Sequence, residues 1–156
     1  MTRKSKQDPV PPESMHLQDT VRLSADGLAK VLGQLEARVI QAVWHLGRRV
    51  PARAVHEVVA REHQVALLTV VTVLNKLVAK GLLTRAKRED LLHYEARMSE
   101  EAFTAHASRR LVEGILSLDS QAVAASLVDV LAEHDPEQLA ELGRLVNARL
   151  KRQERE

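Results

Sequence analysis

The sequence contains no cysteine. Disulfide staples, thiolate metal sites and thiol redox sensing are therefore excluded, and a reducing cytoplasm is the expected setting. Aromatic residues are nearly absent: Trp44, Tyr94 and Phe103 stand alone. Burial must be done by Leu, Val and Ala, which suits packed helices. No apolar run approaches the roughly 20 residues that span a bilayer. The N-terminus is basic at Arg3, Lys4 and Lys6, but no apolar stretch follows, so the sequence offers no signal peptide. There is no Gly-rich phosphate loop and no H-E-x-x-H. The seven histidines are scattered, and the pair His56 and His63 lacks further ligands for a zinc site. No catalytic residue, metal or cofactor is expected, and the chain does not read as an enzyme.

What is present is apolar periodicity. Hydrophobic residues make up 45% of 156 residues, enough for one domain or two small modules. Pro9, Pro11 and Pro12 forbid a helix near the start, so residues 1–31 are expected to be a flexible extension, with a short turn or helix around 23–31. Leu35, Val39, Ile40, Val43 and Leu46 recur at helical spacing and predict a helix over 34–46, ended by Gly47. Trp44 lies at the edge of that stripe and reads as a core or interface residue. Pro51 opens a second helix at 52–62. A third, at about 67–80, turns Leu67, Val70, Val71, Leu74, Leu77 and Val78 inward and is capped by Gly81. Residues 82–87 and 91–97 predict a β-hairpin around Arg88-Glu89-Asp90. Three helices followed by a hairpin is the order of a winged helix-turn-helix, here over residues 32–98.

Residues 99–156 read as three more helices and a short charged tail. Ser99 is an N-cap for a helix at 100–117, a second runs about 120–133, and Asp135-Pro136 is a strong start for the third. Short amphipathic helices of this size have little to bury against within one chain, and a symmetric partner is the economical solution. The candidate dimerisation residues are Leu111, Ile115, Leu127, Leu131, Leu139, Leu142 and Leu145. Packing onto the winged domain of the same chain is the alternative. The fold class expected is thus mostly α, a winged helix-turn-helix followed by a three-helix dimerisation domain.

Charge divides along the same line. Residues 32–98 hold eleven Lys/Arg and six Asp/Glu, whereas 99–156 hold seven and eleven. A basic front half suits a polyanion. On the third helix, Thr69, Thr72, Val73, Lys76 and Lys80 share one side and are the candidate recognition residues. Thr and Val suit base edges, with Val73 placed to meet a thymine methyl, and Lys suits phosphates. Arg53 and His56 on the second helix and Arg85, Lys87 and Arg88 on the wing are candidates for the backbone. Each of these is equally the ordinary furniture of a solvated face. Glu89 and Asp90 at the wing tip oppose phosphate contact.

With these residues in place, the chain resembles the penicillinase-repressor family typified by BlaI and MecI, with the copper-responsive CopY repressors as cousins. The resemblance rests on Leu32-Gly33-Gln34-Leu35-Glu36, Val39-Ile40, Val43-Trp44, Val55-His56-Glu57, the run Thr69 to Leu77, Lys80-Gly81-Leu82-Leu83 and His93-Tyr94. It implies a homodimeric cytoplasmic repressor bound to a dyad-symmetric operator on double-stranded DNA, with an upstream sensor protein in some members. The chain departs from the family where Leu67 and Leu68 replace a Tyr followed by Ser or Thr, and where Glu89-Asp90 replaces a Gly-Arg wing turn. The Cys-rich tail of the copper branch is absent, as is the Asn-Phe cleavage dipeptide of the penicillinase branch. The alternative from another class is a protein-interaction adaptor that keeps the winged fold, with Leu67 and Leu68 as its docking residues.

Overall fold

A computed structural model describes residue 27 and residues 32–156. The expected extension over 1–31 lies, Gly27 aside, outside the described residues. The element order is α1 (Gln34–Leu46), β1 (Val50–Pro51), α2 (Ala52–Ala60), α3 (Leu67–Ala79), β2 (Leu83–Arg88), β3 (Leu91–Ala96), α4 (Glu100–Leu116), α5 (Ser120–His134) and α6 (Pro136–Gln153). The fold is mostly helical with a three-stranded antiparallel sheet, as a winged helix followed by helices requires.

The sheet has the order β1-β3-β2. Its first strand is the element that periodicity misses. Two residues, Val50 and Pro51, pair with Tyr94 and His93. A strand this short has no alternation to read, and Pro51 is tolerated because the strand lies at an edge. The same proline caps α2, so the expected helix start and the extra strand share one residue. β2 and β3 form the wing, paired from Leu83↔Ala96 to Arg88↔Leu91.

Residue chemistry sets the helix ends. α1 stops at Gly47, whose φ of 94° and ψ of −141° lie in a region that is essentially glycine-only. α3 ends in a Schellman motif. The amide of Leu82 donates to the Leu77 carbonyl and that of Gly81 to Val78, with Gly81 at φ 81°. Both bonds turn the chain straight from α3 into the wing. Ser99 Oγ accepts from the Ala102 amide, Asp119 from Gln121 and Ala122, and Asp135 from Gln138. Each is a side-chain N-cap of the next helix.

The chain divides into two compact units between Arg109 and Arg110, inside α4. The first holds the core. Val39, Ile40 and Val43 of α1, Val55 and Val59 of α2, Val70, Leu74 and Leu77 of α3, and Leu83 and Tyr94 of the sheet are buried. Phe103 and Ala107 of α4 belong to it as well. The Phe103 ring lies 5.7 Å from that of Trp44, whose Nε1 donates to the Met98 carbonyl at 3.0 Å. Sequence reading places a domain boundary between Met98 and Ser99, whereas the compact division falls further on. In the second unit α5 packs on α6, yet neither helix has a buried residue. Among the described residues, no helix is long and apolar enough to cross a membrane.

Candidate nucleic-acid interface

The helix that would read DNA is amphipathic, but its two faces are not quite where simple spacing puts them. Val70, Val73, Leu74 and Leu77 form its buried stripe. Val73 is only 6% exposed, so the expectation that it meets a thymine methyl is corrected: it packs into the core. The reason is angular. Val73 falls between Val70 and Leu77 at i+3 and i+4, whereas Val71, expected inward, lies at the margin and is half-buried. Leu67 is likewise turned partly out, at 38% exposure.

The outward stripe is Leu68, Thr72 and Lys76, one turn apart, with Thr69 beside it. Leu68 is 75% exposed. Thr72 Oγ1 donates to the Leu68 carbonyl at 3.0 Å, which commits its proton to the backbone and leaves its methyl and an acceptor lone pair. No acidic residue lies anywhere in α3.

Lys80 does not join this stripe. Its Nζ sits 2.5 Å from Glu36 Oε2 of α1, and both side chains are largely shielded from water. It follows the last residue of α3, where the chain is already turning, so its side chain goes to α1 rather than along the helix face. The expected phosphate contact at Lys80 is therefore replaced by a structural ion pair.

Asn75 is the residue whose role the sequence did not reveal. Its Oδ1 accepts from Tyr94 Oη of β3 and from Arg85 Nη1 of β2, both at 2.9 Å. Tyr94 is fully buried, so its hydroxyl needs such a partner. One oxygen thus fixes both wing strands against α3. The only signal in the sequence was an amide amid apolar residues in the helix, with a lone Tyr in the last strand. Arg85 remains exposed beyond this bond.

Along the wing, Lys87 and Arg88 are exposed. Arg49, Arg85, Arg88 and His93 border a hollow of about 220 Å³ that Glu95 and Thr84 share. Arg49 Nε lies 3.6 Å from Glu95, which offsets part of this charge. The wing turns at Glu89 and Asp90, both at positive φ, 49° and 64°. Left-handed φ at both central residues of a two-residue loop is the signature of a type I′ turn. Lys87 Nζ lies 3.9 Å from Asp90, a largely solvated pair of little energetic weight.

On α2, Arg53 is exposed. His56 turns its Nε2 to the Val65 carbonyl at 2.7 Å, closing the connection between α2 and α3. Only its Nδ1 is left for a phosphate. The expected dimerisation residues all lie in the second unit. Ile115, Leu127 and Leu145 are exposed and Leu111, Leu131, Leu139 and Leu142 half-buried.

The geometry is that of a helix and a basic hairpin joined by a part-buried polar clamp. A family model described as penicillinase repressor matches residues 32–148 of the chain. No curated protein matches it.

Proposed function

The chain belongs to the penicillinase-repressor family, and on that premise we propose that it is a homodimeric cytoplasmic repressor that binds a dyad-symmetric operator and is not an enzyme. The observation that carries this reading is the outward face of α3. Thr69, Thr72 and Lys76 lie there without an acidic neighbour on the helix, and Asn75 links that helix to the basic wing. Lys76 with Arg53, Lys87 and Arg88 would hold phosphates, and Thr69 and Thr72 would approach base edges.

Dimerisation is supported by the second unit, whose two complete helices have no fully buried residue, while Leu127, Val130, Leu145 and Leu150 are each about half exposed to water. A second copy would cover them. In such a dimer the two recognition helices would sit about 34–36 Å apart, or a multiple of that, to meet successive major grooves. The family suggests an upstream sensor as a further partner, by analogy alone.

The test is a gel shift of the full chain on its gene's own upstream region at low salt. Binding that weakens steeply with salt is the expected result; no binding would overturn the proposal. Lys76→Ala should weaken every duplex alike and reduce the salt slope by about one. The second reading, a protein-interaction adaptor, is favoured by the exposure of Leu67 and Leu68. Competition by nonspecific DNA separates the two, since it would not displace a protein docked there.

A further inference from the structure

We propose that α3 reads its operator chiefly through apolar contacts, with Leu68 and the Thr72 methyl packed against thymine 5-methyl groups in the major groove. The inference rests on the DNA-binding reading above and names what that surface selects.

The argument is one of elimination along the outward stripe. Side chains that read bases by paired hydrogen bonds are Arg, Lys, Asn, Gln and the acids. The first two turns of α3 contain none of them. Asn75, the amide nearest to the stripe, is half-buried and has its oxygen committed to Tyr94 and Arg85. Thr72 has given its proton to the Leu68 carbonyl. Val73 is inside. What remains on the outward stripe at the reading end of the helix is Leu68, the methyl and one acceptor lone pair of Thr72, and Thr69 beside them.

In the major groove, the feature an apolar side chain can distinguish is the thymine methyl, since the other base-edge groups are donors or acceptors. Spacing agrees. Leu68 and Thr72 are four residues apart, or about 6 Å along the axis. That is close to two base-pair steps of about 3.4 Å each. Lys76 lies another turn on, at the distance where a phosphate follows the bases. Exposed leucine next to water alone is unremarkable, but here it stands in line with a cation and on a helix free of acid. Charge complementarity favours a polyanion as the occupant.

The experiment uses the full-length chain. A duplex is first selected from a random-sequence library, then remade with deoxyuridine for thymidine, which removes only the 5-methyl groups. Wild type should prefer the thymidine duplex by about four-fold for each methyl contacted. Leu68→Ala should lose most of that preference while keeping the salt slope of wild type, because Leu68 touches no phosphate. Leu68→Met, which keeps an apolar reach, should retain the preference. Equal binding of both duplexes by wild type, or an unchanged preference in Leu68→Ala, would overturn the inference and leave DNA binding intact. A library from which no duplex is enriched would overturn the repressor reading itself.

Discussion

Asn75 joins three elements through a single oxygen, so its removal should be felt in more than one way. Asn75→Ala leaves the buried Tyr94 hydroxyl without its acceptor. We expect a loss of about 1–3 kcal/mol in denaturant unfolding. Tyr94→Phe in the same chain should recover part of it, because the orphaned polar group is then gone. The two lysines of the recognition region make a contrasting pair. Lys80→Ala leaves Glu36, largely shielded from water, without its counter-charge, and should cost about 1–3 kcal/mol of stability. It should leave the salt slope of DNA binding as it was. Lys76→Ala should do the reverse, lowering the slope with little change in stability. Sequence reading treats the two lysines alike, since they share a helix face by spacing. What separates them is the turn at Gly81 and the position of α1, which no local pattern contains.

At the scale of elements, the wing turn is a point of strain. Glu89 and Asp90 both adopt left-handed φ, a conformation costing L-residues about 1–2 kcal/mol each. Asn-Gly is the pair best suited to a type I′ loop. Glu89→Asn with Asp90→Gly should therefore raise stability by about 1 kcal/mol, read as a higher denaturant midpoint at unchanged slope. It should also tighten DNA binding at low salt, because two negative charges leave the tip of a basic hairpin. The hairpin itself was legible in the sequence from its turn residues and flanking strands. So were α1, α3 and the caps at Ser99 and Asp135, because capping and helical periodicity act over a few residues. β1 was not, since two residues carry no period. The buried stripe of α3 was legible only in outline. Val71 and Val73 are chemically identical, and only their angular distance from the line of Val70, Leu74 and Leu77 separates the buried one from the marginal one.

The whole molecule is divided inside α4, and this changes what a truncation should do. A chain ending at Met98 loses Phe103 from its place against Trp44. It should be destabilised by about 3–5 kcal/mol, as for deletion of a buried aromatic ring. A chain ending at Arg109 keeps that contact and should remain folded. If the second unit carries the dimer, the chain ending at Arg109 is monomeric by light scattering, at concentrations where the full chain is dimeric. A stable dimer of that shorter chain would overturn the assignment.

Sequence alone determined the order of helices and hairpin, the basic front half, and the family resemblance over the winged helix, because each is written in spacing, turn chemistry or composition. The tertiary structure decided which of the chosen side chains still have free functional groups. Val73 went to the core, Lys80 to Glu36, the Thr72 proton to its own helix, and the oxygen of Asn75 to the wing. A side chain's partner depends on what lies across the gap, often many residues away, and only folding brings that partner into place.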